Sequence, residues 1–67
     1  MSNLEQRVQH NIRDMREQKG MTQRELAAIM QVSHVDIHRI ETGERRITIT
    51  WLERFAVAFK INPKKLL

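Results

Sequence analysis

In SHVDIHRIETG, residues 33–43, His34, Val35, His38 and Arg39 stand within six positions of one another. A guanidinium offers two parallel N–H donors, the pattern that guanine O6 and N7 accept in the DNA major groove. An imidazole gives or takes a hydrogen bond at a base edge or at a phosphate. A valine side chain can touch a thymine methyl group. Asp36, between them, places a negative charge where phosphates would lie. It suits a bond from cytosine N4 and opposes other sequences. Arg45 and Arg46 follow directly, in the basic loop ERRIT.

The same residues permit other chemistry, which is weaker on inspection. His34 and His38 are four apart, the spacing of a helical metal pair. A third ligand is missing, because His10 falls on another helix and Asp36 points elsewhere, so no metal is expected. The chain offers no Ser/His/Asp set and no paired acids converging on a pocket. It is therefore not expected to be an enzyme, and no cofactor is expected. Without cysteine there is neither a disulfide framework nor a thiolate site, which fits a reducing cytoplasm.

The segment bearing these residues has helical periodicity. Ser33 is placed as its N-cap, Asp36 suits the positive end of its dipole, and Gly43 stops it. At 100° per residue, Ser33, Ile37, Ile40 and Glu41 share one side. Val35 and Arg39 point the other way, with His38 and Thr42 beside them. If the first side packs on the domain, the second is presented outward. Base-reading residues sit on the N-terminal part of such a helix, and these do. A solvated surface would explain the polar residues, but Val35 suits water poorly.

Cap and stop signals divide the remainder. Ser2 and Glu5 have capping-box spacing, and Leu4, Val8, Ile12 and Met15 give an apolar stripe that ends before Gly20. Thr22 and Glu25 repeat the box ahead of a helix with Leu26, Ala27 and Met30 inward. A turn of about three residues, holding Val32 as an apolar plug, leads to the 34–42 helix. This is the arrangement of a helix-turn-helix, spanning about residues 22–42. The fourth helix is capped by Thr48 or Thr50, with Thr50–Glu53 the better capping box, and buries Leu52, Phe55, Ala56 and Phe59. Asn62 and Pro63 open a last turn that ends in Leu66 and Leu67. The pattern predicts a single all-α domain over residues 1–67, a compact five-helix bundle.

Sixty-seven residues bury only a modest core. Twelve Lys/Arg against eight Asp/Glu give a net charge of +4, and Arg outnumbers Lys eight to four. A basic balance suggests a polyanionic partner, and Arg suits phosphate and guanine better than Lys does. No apolar run has the length of a membrane span, so no membrane partner is expected.

The stretch REQKGMTQRELAAIMQVSHVDIHRIETGERR, with LERFAVAFKINPKKLL after it, resembles the lambda-repressor-like helix-turn-helix proteins of the Cro and xenobiotic-response-element group. The similarity runs from about Val8 to Leu67. It implies a five-helix bundle and sequence-specific binding of double-stranded DNA, usually as a homodimer on a palindromic operator. By position, it implies that His34, Val35 and Arg39 read bases, with Asp36 and His38 beside them. It places Gln23, Arg45 and Arg46 at phosphates, and Ser33 and Thr42 join them as candidate phosphate contacts. It also implies an ion pair between Arg16 and Glu41. Glu41 has a separate motive for one, since a carboxylate on the inward face needs a partner.

Two positions depart from the family pattern: Gln31 stands in the turn and Lys60 after the fourth helix, where Gly is common. A left-handed Gln31 would be strained by about 1 kcal/mol. Ile47, Ile49, Trp51 and Leu67 are the candidate dimer contacts, and Trp51 is equally explained as filling at the core's edge. The resemblance implies a transcriptional regulator, by default a repressor; the rival is an antitoxin, or a module of the same fold that binds protein, such as a toxin, without touching DNA. Such a regulator is expected in the cytoplasm, with the nucleoid.

Overall fold

The computed structural model describes residues 3–67. The first helix, α1, spans Asn3–Gln18, α2 spans Gln23–Met30, α3 spans His34–Thr42 and α4 spans Ile49–Phe59. A single 3-10 turn, Pro63–Leu66, closes the chain. The described residues therefore form an all-helical bundle with four α-helices, and the expected count of five is corrected. Asn62 does accept from the Lys64 N–H at 2.9 Å, and Pro63 does open the segment. Only four residues follow the cap, and they close as a 3-10 turn instead of an α-helix.

The stop signals share one geometry. Gly20 and Gly43 have positive φ, and so do Gln31 (φ 58°) and Lys60 (φ 59°). At Gln31 the chain turns so that the Val32 N–H donates to Ala27 O at 3.0 Å, and at Lys60 the Ile61 N–H donates to Ala56 O at 3.0 Å. Both are Schellman-type ends that satisfy orphan carbonyls, built on residues that pay a steric cost there.

The start signals hold in two cases and shift in one. Thr22 and Glu25 form their capping box, with the Glu25 N–H donating to Thr22 Oγ1 at 3.0 Å and the Thr22 N–H donating to Glu25 Oε1 at 2.9 Å. Ser33 caps α3, its Oγ accepting from the Val35 N–H at 3.1 Å. On α4 the cap is Thr48, whose hydroxyl accepts from the Trp51 N–H at 3.1 Å, so Thr50 lies inside the helix and its box with Glu53 does not form. The earlier start adds Ile49 and Thr50 to α4. The expected Ser2–Glu5 box lies outside the described residues. Glu5 Oε2 accepts from the Ile47 N–H at 3.2 Å, tying α1 to the loop before α4.

The core is Val8 and Ile12 of α1, Leu26, Ala27 and Met30 of α2, Ile37 and Ile40 of α3, Phe55, Ala56 and Phe59 of α4, and Leu66. Leu4 was expected to extend the α1 stripe, but it is half exposed. A nine-residue helix such as α3 is not stable by itself. Ile37 and Ile40 are completely buried, and burial contributes about 1.5–3 kcal/mol for each side chain. That burial decides which side of α3 faces in.

Candidate nucleic-acid interface

With Ile37 and Ile40 inward, α3 has two flanks. Along the first runs Glu41, its side chain 3% exposed. Arg16, from the last turn of α1, meets it in bidentate fashion: Nε donates to Oε2 at 2.7 Å and Nη2 to Oε1 at 3.1 Å. The Arg16 Nη1 donates to Met21 O at 2.8 Å, so one guanidinium holds the α1–α2 turn and α3 together. The Glu41 carboxylate stabilises the charged form and raises the Arg16 pKa above its ordinary value, against the opposing effect of burial. Gln23, the first residue of α2, donates from Nε2 to Glu41 Oε1 at 3.0 Å. The same nitrogen lies 3.5 Å from Nδ1 of His38. No buried side-chain nitrogen or oxygen among the described residues lacks a hydrogen-bond partner. The expected Arg16–Glu41 pair is present and extends through Gln23 to the surface.

The second flank is presented outward. Val35 is 40% exposed and Arg39 is exposed, its guanidinium bonded to no described residue. Thr42 is exposed, and its hydroxyl donates back to Arg39 O at 3.2 Å. Ser33 and His38 are exposed, and His34 and Asp36 are half-buried. Val35, His38, Arg39 and Thr42 are thus exposed on α3, with His34 and Asp36 partly covered beside them.

The two loop arginines differ. Arg46 is exposed, and its Nε stands 3.9 Å from Glu5 Oε1, a loose pairing. Arg45 is held at several points. Its Nη1 donates to Asp36 Oδ1 at 2.7 Å, its backbone N–H donates to Arg39 O at 3.1 Å, and its guanidinium carbon stands 5.4 Å from the Trp51 ring centre. Asp36 is therefore engaged by Arg45. The Arg45–Asp36 side chains remain partly open to solvent.

Sequence reasoning missed two supports of this surface, Gln9 and Arg54, while Trp51 fills the core's edge, one of its two expected roles. Gln9 is buried on α1 and donates from Nε2 to Arg45 O at 3.1 Å, fixing the basic loop. Its signal was positional, since it stands three residues before Ile12 and seven before Arg16 on one side of α1. Arg54 donates from Nη2 to Met30 O at 2.7 Å and stands 5.2 Å from the Trp51 ring centre. Trp51 itself is half-buried, packs against the core and meets the Phe55 ring at 5.9 Å between centres, tilted by 36°. Ile47, Ile49 and Leu67 line a shallow groove with Leu4, Val8 and Leu52, and Trp51 lies off it.

A family model described as a helix-turn-helix domain matches residues 10–66. The chain belongs to the helix-turn-helix family. Its motif is α2, the turn at Gln31–Ser33, and α3. Solved structures of similar shape agree. The restriction-modification controller protein C.Esp1396I is 30% identical over 98% of this chain and 85% of its own, with a TM-score of 0.88. The restriction-modification controller C.AhdI from Aeromonas hydrophila is 24% identical over the whole of both chains, with a TM-score of 0.88. The clp gene regulator ClgR from C. glutamicum is also 24% identical, over 98% of this chain and 86% of its own, with a TM-score of 0.88. The latter two likenesses establish the fold of this helix-turn-helix protein. No protein of curated function matches it by sequence. Among the described residues no helix is long and apolar enough to cross a membrane.

Proposed function

We propose that this helix-turn-helix protein is a transcriptional regulator that binds double-stranded DNA as a two-fold homodimer, with α3 seated in the major groove. The observation that carries the reading is the outward flank of α3, where Val35 and Arg39 stand exposed beside His34 and His38. Arg39 is the principal base reader, bidentate to guanine, and Val35 meets a thymine methyl. His34 and His38 add contacts at base edges or phosphates. Asp36 acts through Arg45, orienting its guanidinium at the groove's rim. Arg46, Ser33 and Thr42 meet phosphates with their side chains and Gln23 with its backbone N–H at the start of α2, which sets the register of α3 without specifying sequence.

The dimer face is the groove lined by Ile47, Ile49, Leu67 and Leu4. Ile49 is 77% exposed in the single chain, and Leu4 and Leu67 are about half exposed. That apolar surface is continuous with the loop carrying Arg46, so two copies meeting there would set two α3 helices along one duplex. Occupying an operator this way blocks polymerase, and repression is the default outcome. C.Esp1396I, the 30% identical relative, is a restriction-modification controller, which supports the regulatory part of the reading.

Selection of bound sites from random duplexes tests it. The expected product is a palindrome whose half-site centres lie about 34 Å apart, bound with affinity that falls steeply as salt rises. A shallow salt dependence and no enriched site would instead mark a protein-binding module.

A further inference from the structure

We infer that His38 offers the nucleic acid a hydrogen-bond donor and not an acceptor, because contacts running from Arg16 set its tautomer. The inference rests on the reading of α3 as the groove-facing helix and deepens it.

The chain of reasoning starts at Glu41. An ionised carboxylate only accepts hydrogen bonds. Arg16 occupies both of its oxygens, at 2.7 and 3.1 Å. The Gln23 atom 3.0 Å from Oε1 must then be a donor, which identifies it as the amide nitrogen. That nitrogen carries two N–H groups. With one engaged by Glu41, the other faces Nδ1 of His38 at 3.5 Å. A ring nitrogen met by an N–H must present its lone pair, so the hydrogen of the neutral ring sits on Nε2.

His38 is exposed, so this Nε2–H is the edge it can offer to a ligand. It suits guanine N7 or O6, thymine O4, adenine N7 or a phosphate oxygen. It is repelled by the amines of cytosine N4 and adenine N6. An imidazole without the Gln23 contact could present either a donor or a lone pair. Gln23 and Glu41 are thus positioning residues for what His38 recognises.

Nitrogen-15 spectra of the imidazoles in the free protein, at a pH where they are neutral, test this without DNA. In the wild type His38 is expected to carry its hydrogen on Nε2, with Nδ1 shifted as a hydrogen-bond acceptor. In Gln23→Ala that signature should relax toward a tautomer mixture, while His10 and His34 stay unchanged. A wild-type hydrogen on Nδ1, or His38 spectra identical in the two proteins, would overturn the inference.

Site selection supplies the DNA arm. Both Gln23→Ala and His38→Ala should lose, at one position per half-site, a preference of about three- to tenfold for an acceptor-bearing base. If the acceptor is a phosphate, His38→Ala instead weakens all sequences by a similar factor. A preference lost in His38→Ala but kept unchanged in Gln23→Ala contradicts the inference. If no duplex is selected at all, the groove reading fails, and the tautomer result still stands or falls on the spectra.

Discussion

On one flank of α3, Glu41 is joined by Arg16 and Gln23 to two other helices, within 3.1 Å at each step. On the other flank, Val35 and Arg39 touch solvent, and the Arg39 guanidinium is bonded to no described residue. The same helix is thus pinned on one side and open on the other. A buried ion pair is poor evidence of net stabilisation, since desolvation offsets much of its attraction. It does hold a short helix in one pose, and pose is what a rigid reading edge requires. An open arginine contributes little to folding and is available to a partner. The difference separates residues that set where α3 stands from residues that set what it binds.

The largest expected effect comes from breaking the pinned flank. Glu41→Ala leaves the mostly buried Arg16 charge without its partner and should cost about 3–5 kcal/mol in chemical denaturation. For a domain of this size that is a large share of total stability. A loss under about 1 kcal/mol would mean the pair behaves as a surface contact. On the open flank, Arg39→Ala should leave the denaturation midpoint unchanged. It should relax preference at one base pair per half-site by about 1–3 kcal/mol, read by site selection. A uniform loss on all sequences would reassign Arg39 to a phosphate.

Arg46→Ala sharpens the comparison at the rim. Affinity should fall alike for all sequences, and the slope of log affinity against log salt should flatten by about one unit. An unchanged slope would remove Arg46 from the interface. Smaller still is Gln31→Gly. Relief of the left-handed strain, partly offset by glycine's extra freedom when unfolded, should stabilise the fold by up to about 1 kcal/mol. A destabilised variant would mean the Gln31 side chain contributes more than its backbone costs.

The smallest effect is at the start of α2. The Thr22 backbone N–H, and then its hydroxyl, hold the Glu25 pKa below its ordinary value. A lowered folded-state pKa means its contribution is fully present above about pH 4.3 and is lost as pH falls through the folded value. Helical circular dichroism on acidification should therefore show a step in the wild type that Glu25→Gln lacks.

Much of this architecture was legible from spacing. Val8–Ile12, Leu26–Ala27–Met30, Ile37–Ile40 and Phe55–Ala56–Phe59 are buried where their periodicity put them, because burial follows the 3.6-residue repeat. The outward set on α3 followed from the same arithmetic. What spacing did not reveal were contacts between elements distant in sequence. Gln9 reaches Arg45 across 36 residues, and Arg54 reaches Met30 across 24. Asp36 has no neighbour in its own helix that announces Arg45 as its partner. The choice of Thr48 over Thr50 also escaped, since both have the capping side chain and only the packing of Trp51 and Phe55 against the core distinguishes them. The last segment has a cap, a proline and a buried leucine like the true helices, and only its length makes it a 3-10 turn.

The division between a pinned and an open flank is tested most directly by titrating the nitrogen-15-labelled protein with a selected duplex. Amide and side-chain resonances of His34, Val35, His38 and Arg39 should move most, with Gln23 and Arg46 following, while Ile12 and Phe59 in the core stay still. Shifts confined to the Ile47–Ile49–Leu67 groove, with the residues of α3 undisturbed, would contradict the account.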